Sequence, residues 1–262
     1  MKYSFQLCPH PNIRYMEALT LLGCKELACM LTSPGFSAIS HTTCPVTSQH
    51  GNSTFFEFEA NPALSPKELQ ALRLHSSLLL MAELAQTPSS EPALLRPLDV
   101  PSPDVFPPDL PEVLKYKGKT SARFTRMMLS CALAAAGLLV SGKNVRVLDP
   151  LCGRGTTLLC AAQLGMDAFG VEQNGNDLKE LDAYLTRYCQ IHRLKHRRES
   201  FSKTIHGHGI PAVQYELFES KEAFVSKKAT TVSFFRGDTS LTGELFRRHP
   251  CDLLVTDLPY GI

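Results

Sequence analysis

The residues best placed by type and spacing to do chemistry lie in the second half of the chain. The segment Val147–Thr156 reads VLDPLCGRGT, so Asp149 ends a predicted strand and Gly153 and Gly155 form a turn into a predicted helix. Glycines let a backbone approach a ligand that a side chain would block, and the start of a helix offers free amide donors. Because the carboxylate of Asp149 would repel a phosphate, a cation or an amine is the better ligand for this turn.

A second carboxylate ends the next apolar run. Glu172 follows the predicted strand 168–171 and comes 17 residues after Gly155. At this point of a nucleotide-binding sheet a carboxylate can accept both hydroxyl groups of a ribose. A single acidic residue at a strand end is more often a solvated charge. The interpretation therefore depends on the spacing of Glu172 from the glycine turn.

A third pattern, TDLPYG, follows the apolar residues 253–255. An exocyclic base amine is a poor nucleophile, since its lone pair is delocalised into the ring. Asp257 and the carbonyl of Leu258 or Pro259 can accept its two N–H bonds and draw the nitrogen toward tetrahedral geometry. Tyr260 can then stack on a base that has been swung out of its strand.

In this order, the three patterns resemble those of the RNA methylases that include the tRNA guanosine-10 N2-methyltransferases and their bacterial relatives. The resemblance extends over about residues 114–262, and includes an upstream segment YKGKTSARFT and a GDT tripeptide at Gly237–Thr239. It implies an α/β fold with a Rossmann-like class I methyltransferase sheet, S-adenosyl-L-methionine as cofactor, and RNA, favoured as tRNA, as substrate. The chain departs from the common (D/N)PPY motif because Leu258 stands where proline is usual; the backbone carbonyl and Pro259 are kept.

The resemblance also implies roles for individual residues. Asp149, Gly153 and Gly155 would face the amino-acid part of the cofactor, Glu172 its ribose and Asp238 the amine of its adenine. Further candidates for cofactor contact are Pro150, Cys152, Thr156, Thr120, Phe124 and Thr125. The candidate catalytic residues are Asp257, Leu258, Pro259 and Tyr260, and no metal is expected. A nucleophilic role for Cys152 is disfavoured, because neither a base nor a second cysteine accompanies it.

Helices and strands alternate from about residue 113 onward. Helices are predicted at 123–140, 156–164 and 177–191, and strands at 145–148, 168–171, 231–235 and 253–256. Short apolar strands separated by helices indicate parallel pairing in a sheet covered on both faces. The segment 206–228 interrupts this rhythm and is interpreted as an insertion, with β-structure near the substrate.

The remainder of the chain is predicted to form a small α/β domain at residues 1–86 and a connector at 87–112, before the methyltransferase domain at 113–262. The domain would contain strands at 3–7 and 53–59, a helix at 13–22 closed by Gly23, and a helix that Ser65 opens with a capping box and that runs to about Ala85. Eight prolines between Thr87 and Val113 favour an extended connector. Members of the resembled family carry an RNA-binding domain in the place of residues 1–86. A role of these residues in binding tRNA is therefore an analogy.

Overall charge gives little sign of an RNA partner. A net charge of +2 is small, so phosphate contact would have to come from local charge. Basic residues cluster at and beyond the end of the helix predicted at 177–191. Candidate phosphate contacts are Arg193, Lys195, Arg197 and Arg198; the alternative is a solvated helix end favoured by the helix dipole.

Cysteine spacing and hydropathy predict a cytoplasmic protein with no membrane partner. The nine cysteines have no CxxC spacing, which is typical of free thiols in a reducing cytosol. The N-terminus lacks the apolar core of a signal peptide. The longest apolar stretch is shorter than the roughly 20 residues that cross a bilayer.

The predicted sheet is truncated after its fourth strand, whereas sheets of the resembled family have seven. We therefore expect the natural protein to be longer or another chain to complete the sheet, and these 262 residues alone to bind cofactor weakly without turnover. Two alternative functions remain at this stage. One is N6-adenine methylation of DNA, which uses the same amine-binding motif; the other is a catalytically silent module that binds the cofactor or RNA.

Overall fold

The computed structural model describes residues 1–9, 15–36, 45–50, 53–85, 94–112, 114 and 119–258. The chain divides into two compact units, and the structure contains two sheets. The first unit comprises residues 1–103 and 126–143, and the second comprises 104–125 and 144–262. The fold is mixed α/β, as the sequence predicts. Within the described part of the chain, every helix is too short or too polar to cross a bilayer.

The first unit contains a five-stranded antiparallel sheet. In spatial order its strands are β2 (Val46–His50), β3 (Ser53–Glu59), β1 (Lys2–Leu7), β4 (Leu78–Ala85) and β5 (Leu94–Pro97). The predicted strands at 3–7 and 53–59 are confirmed, and they pair antiparallel with Phe5 opposite Phe56. Both rings are fully buried. Part of the proline-rich segment forms β5 at the edge of the sheet, where a missing backbone donor is tolerated.

The next helices are α1 (Met16–Leu31), α2 (Pro66–Leu72) and α3 (Ala122–Ala135). The predicted start of α2 at Ser65 is confirmed. Ser65 caps α2 through its side chain, and the carboxylate of Glu68 accepts a hydrogen bond from the Ser65 amide at 2.7 Å. This reciprocal pair satisfies two donors that the helix cannot satisfy itself. Short-range chemistry therefore determines where α2 begins.

Two predicted helix ends in the first unit are wrong. Gly23 does not close α1 but lies inside it, where a side chain would come within 3.3 Å of the Phe56 ring. Here glycine allows close packing rather than helix termination. The helix that Ser65 opens ends at Leu72, and the leucine-rich segment 78–85 is strand β4. Antiparallel pairing with β1 and β5 overrides the helical preference of leucine, methionine and alanine.

The second unit contains a six-stranded mixed sheet. In spatial order its strands are β11 (Leu253–Leu254), β6 (Arg146–Asp149), β7 (Asp167–Glu172), β10 (Thr230–Arg236), β9 (His208–Phe218) and β8 (Lys195–Ile205). Strands β11, β6, β7 and β10 pair parallel to one another and correspond to the four predicted strands. The predicted insertion is the antiparallel hairpin β8–β9, which pairs with β10 through β9. It begins at Lys195 rather than at His206.

Helices α4 (Thr156–Gln163), α5 (Gly175–Ile191), α6 (Lys221–Val225) and α7 (Thr242–Phe246) complete the second unit. Val171, Phe235 and Phe246 belong to a hydrophobic cluster built largely from strand side chains. The basic residues were predicted at and beyond the end of the helix at 177–191; α5 ends at Ile191, and Lys195 and the three residues after it lie in β8. Their alternation between the faces of a strand spreads the basic side chains to both sides of the sheet.

Residues 104–112 belong to the second unit and pack on its helices. The amides of Val105 and Phe106 donate to the carbonyl of Gln163, at 2.8 and 3.2 Å. Phe106 and Leu110 are buried. The hydroxyl of Tyr188 donates to Asp109 at 2.5 Å, so this segment is fixed by both apolar burial and hydrogen bonds.

A buried carboxylate organises the interior of the first unit. Glu26 of α1 accepts hydrogen bonds from the Ser76 amide at 2.8 Å, the Ser76 hydroxyl at 2.6 Å and the Ser130 hydroxyl at 2.5 Å. Nε2 of His75 lies 3.5 Å from the same carboxylate and 2.9 Å from the carbonyl oxygen of Gly23. The side chains of Glu26 and His75 are completely buried. A buried charge requires such a set of partners, because no water can replace them.

We predict that Glu26→Ala lowers the free energy of unfolding of the first unit by about 3 kcal/mol, since it leaves several buried donors without an acceptor. Native-state hydrogen exchange at the amides of β1 measures this change. The control is Glu17→Ala, which removes an exposed carboxylate from the same helix and should change stability by less than about 0.5 kcal/mol. Equal effects of the two substitutions would contradict the assigned role of Glu26.

Candidate functional site

The carboxyl ends of β6, β7 and β10 and the segment after β11 meet at one edge of the second sheet. From β6 the chain proceeds outward through β7 to β10, then returns to place β11 on the other side of β6. In open parallel sheets, ligands bind where the strand order reverses in this way. A cavity of about 350 Å³ lies there, within the usual size range of small-molecule sites. It is lined by Pro150, Leu151, Gly153, Glu172, Gln173, Gly237, Asp238, Thr239 and Asp257.

The turn between β6 and α4 requires glycine at two positions for different reasons. Gly153 and Gly155 both have left-handed backbone conformations, with φ of +50° and +80°, which disfavour other residues. A Cβ at Gly155 would also lie 2.7 Å from Cδ2 of Leu181. At Gly153 a Cβ would meet no atom within 4 Å. Gly153 therefore contributes an open backbone surface to the cavity, and Gly155 allows α5 to pack closely.

The Glu172 carboxylate connects the turns that follow β6 and β7. Its Oε2 accepts a hydrogen bond from the Gly153 amide at 3.0 Å, and its Oε1 accepts one from the Asn174 amide at 2.7 Å. An ionised carboxylate has about four acceptor positions, so these two bonds leave capacity for a ligand. Glu172 is thus an oriented acceptor at the cavity wall.

Asp149 lies behind the cavity lining at the end of β6. It is 3 % exposed, and its Oδ1 accepts a hydrogen bond from the Leu151 amide at 3.1 Å. Burial raises the pKa of this carboxyl above its ordinary value, and the negative charge of Asp257 adds to the rise. A cationic group bound in the cavity would oppose both effects and favour the ionised form.

Asp238 lies on the opposite wall, after β10. Its carboxylate caps a short 3-10 turn, Thr239–Leu241, by accepting from the Ser240 amide at 2.9 Å. Hydrogen bonds from the Ser240 side chain and from the Ser240 amide lower the pKa of the exposed Asp238 carboxyl below its ordinary value. The Asp238 carboxylate is therefore a negatively charged acceptor that the turn holds in one orientation.

Asp257 joins the upstream segment to the segment after β11. The hydroxyl of Thr120 donates to Oδ2 of Asp257 at 2.5 Å, although the two residues are 137 positions apart in sequence. Oδ1 of Asp257 can accept a further donor. The structure thus brings together two predicted site residues, one from the upstream element and one from the amine-binding motif.

The cavity lining has a one-sided charge. Glu172, Asp238 and Asp257 are acidic, and the lining contains neither lysine nor arginine. The carboxylates do not converge on a point: within the described ranges, no three acidic, histidine or cysteine side chains are placed to hold a metal ion. The arrangement suits a cationic ligand that also carries several hydrogen-bond donors.

Cys152 and Thr156 are close in sequence to the lining residue Gly153, but they do not line the cavity themselves. The Cys152 side chain is buried against β7, where a Cβ at Gly170 would lie 2.6 Å from its Sγ. Burial raises the pKa of this thiol well above its ordinary value, which keeps it protonated and poorly nucleophilic at neutral pH. Thr156 begins α4 and is also buried. Pro150, in contrast, lies in the lining.

The remaining predicted site residues have diverse surroundings. Thr125 is completely buried, and its hydroxyl donates to the carbonyl of Ser121 at 3.2 Å. Phe124 and Leu258 are exposed, by 38 % and 66 % respectively. Pro259 and Tyr260 lie outside the described residues. Prediction from sequence missed four lining residues, Leu151, Gln173, Gly237 and Thr239, although each adjoins or closely follows a residue that was predicted.

The candidate phosphate contacts fall into two groups. Arg197 pairs with Glu216 at 3.2 Å, and Arg198 pairs with Asp182 through two hydrogen bonds of 2.6 and 2.8 Å. Within the second unit, carboxylates therefore already neutralise these two arginines. Arg193 and Lys195 are exposed.

We predict that Gly155→Ala lowers the stability of α4 by about 2–4 kcal/mol, since strain and overpacking combine at this position. Gly153→Ala, its matched control, adds only backbone strain of about 1–2 kcal/mol. Hydrogen exchange at the Leu159 amide, which donates to the Gly155 carbonyl, reports both changes. A greater loss in Gly153→Ala would contradict the steric role of Leu181.

Comparison with known proteins adds no family to this description. No protein-family model matches the chain. A search of curated proteins found none with significant similarity.

Proposed function

We propose that the strand-end cavity binds S-adenosyl-L-methionine and serves the methylation of an exocyclic base amine in RNA, with the N2 amine of a tRNA guanosine as the favoured target. The observation that carries the proposal is the Glu172 carboxylate. Two backbone amides hold it at a cavity wall that has two further carboxylates and no basic side chain. The proposed function implies a reducing cytosol as the compartment, which suits the free thiols of the described cysteines.

The charge of the cavity distinguishes between the nucleotide cofactors that such a sheet can hold. A dinucleotide would bring a pyrophosphate close to Asp149 and Glu172, with no basic residue in the lining to compensate. S-adenosyl-L-methionine instead carries a sulfonium and an ammonium group, together with a ribose and an adenine amine that donate hydrogen bonds. Glu172 would bind the ribose, Asp238 the adenine amine, and the turn at Gly153 the amino-acid part.

Strand order supports the same proposal. Numbered from β6 along the four parallel strands, the spatial order β10-β7-β6-β11 is 3-2-1-4, as in the doubly wound nucleotide-binding sheets. Glu172 ends the second of these strands, where such sheets bind a ribose. The sequence resemblance and the sheet order thus independently favour a nucleotide-containing cofactor.

Asp257 would hold the amine that is methylated. Thr120 donates to its Oδ2, so the carboxylate has a fixed orientation before substrate arrives. An N–H of the amine can donate to Asp257 and a second to the Leu258 carbonyl, which directs the nitrogen lone pair. The cofactor supplies the electrophilic methyl group, and Asp257 positions the attacking nitrogen. Of the four candidate phosphate contacts, Arg193 and Lys195 are the two that no described carboxylate neutralises.

We predict that Glu172→Gln weakens binding of S-adenosyl-L-methionine by about 10- to 100-fold. The substitution removes the charge from the hydrogen bonds to the ribose. It also replaces one carboxylate oxygen by an NH2 donor, which cannot accept from the backbone amide that it would face. Isothermal titration calorimetry measures the change. Glu219→Gln, an exposed substitution away from the cavity, should bind like the unmodified chain. Tighter binding of NAD than of S-adenosyl-L-methionine would contradict the proposed cofactor.

We predict that Asp257→Asn abolishes methylation while weakening cofactor binding by less than about tenfold, since its hydrogen bonds act on the amine and only its charge, one of three in the lining, acts on the cofactor. Mass spectrometry of nucleosides measures methylation in cells that lack the gene and are complemented with each variant. The unmodified gene and Asp99→Asn, an exposed substitution in the first unit, should restore N2-methylguanosine.

Two results would contradict the proposed reaction. Loss of N6-methyladenine from DNA in the deleted cells would indicate a DNA methyltransferase. Cofactor binding with an unchanged set of modified nucleosides would indicate a catalytically silent module.

A further inference from the structure

A second cavity of the second unit lies between α5 and the part of the sheet formed by β10, β9 and β8. It has a volume of about 370 Å³ and shares no lining residue with the strand-end cavity. On the sheet side, Pro211 and Val213 form an apolar surface, and Phe234, 1 % exposed, lies buried beneath it. Val213 of β9 is paired with Phe234 of β10, so these two neighbours present their side chains on the same face. The volume and the apolar lining suit one planar ring system.

Two cations flank this apolar surface. Lys179 of α5 and Arg236 at the end of β10 both line the cavity and are exposed. The Arg236 guanidinium occupies the space beside the Gly175 backbone, where an added Cβ would lie 2.9 Å from its Cζ. Neither cation forms a salt bridge with another described residue. Their charges are therefore available to an anionic ligand.

The single acidic residue of the lining is already neutralised. Asp182 accepts two hydrogen bonds from Arg198 and one from the Tyr215 hydroxyl at 2.6 Å. Burial opposes ionisation of Asp182, but these hydrogen bonds outweigh it and lower its pKa. The second cavity consequently has a positive charge balance, opposite to that of the strand-end cavity.

We infer that the second cavity binds one nucleotide of a single-stranded RNA segment, with its base on Pro211 and Val213, above the buried Phe234, and its phosphate on Arg236 and Lys179. Base stacking on apolar and aromatic side chains beside basic residues is the chemistry by which proteins hold unpaired nucleotides. Arg236 immediately precedes Gly237 and Asp238 of the strand-end cavity, so a strand held here passes close to the proposed cofactor. The choice of RNA as the source of this nucleotide rests on the proposed function; binding of a nucleotide in this cavity does not.

Binding of uridine 5′-monophosphate, uridine and a short oligouridylate tests this inference in calorimetric titrations of the full chain without cofactor. Uracil is used because it lacks the adenine that the strand-end cavity would accept. We expect the monophosphate to bind at least about tenfold more tightly than uridine, and the oligonucleotide more tightly still. Arg236→Gln should weaken both phosphate-containing ligands by about tenfold, whereas Lys228→Gln, an exposed control outside the cavity, should not.

Titration of S-adenosyl-L-methionine into the same variants separates this inference from the proposed function. Arg236→Gln should leave cofactor affinity unchanged, which also shows that the variant is folded, and Glu172→Gln should leave uridine monophosphate affinity unchanged. Equal affinities for uridine and its monophosphate, or no effect of Arg236→Gln, would overturn the inference even if the cofactor binds. Binding of the free monophosphate without binding of the oligonucleotide would overturn the assignment to RNA.

Discussion

The architecture of the strand-end cavity depends on one carboxylate that is hydrogen-bonded across two turns. Glu172 ends β7, yet its side chain accepts from the backbone of the turn after β6 and from the backbone of its own turn. The amide of Cys152 donates to the carbonyl of Val171 beside it. The two turns are therefore fixed relative to each other by the protein itself. A ligand that binds here meets acceptors already oriented, which reduces the conformational entropy lost on binding.

The β8–β9 hairpin has a second consequence for the shape of this unit. It pairs with the outer edge of β10, so the sheet continues two strands beyond the parallel strands. Helix α5 lies over the parallel part, and its residue Asp182 bridges to the hairpin through Arg198 and Tyr215. The space left between the helix and the added strands is the second cavity. The insertion thus extends the sheet and supplies Pro211 and Val213 to this cavity, whose two cations come from α5 and β10.

Local chemistry allowed part of this structure to be predicted from sequence, and tertiary context explains the failures. The capping box at Ser65 was predictable because its partners are three residues apart. The role of Gly23 was not, because it depends on a ring from β3. The leucine-rich segment 78–85 has the composition of a helix but is held between two strands. In the site, Asp257 and Thr120 were both predicted, whereas their direct hydrogen bond required the fold.

The contact between Cys152 and Gly170 restricts how the two sequence positions can diverge. Cys152 fills the volume that any side chain at position 170 would need, since even a methyl group there would lie 2.6 Å from the sulfur. A Cβ at 170 would also lie 2.8 Å from Cδ1 of Leu158, so a larger residue there is compatible with the same turn only if positions 152 and 158 both change. In homologous chains that keep this turn, the three positions should therefore vary together with nearly constant summed volume. Sequence covariation at these positions would then reflect packing and not reactivity of the thiol.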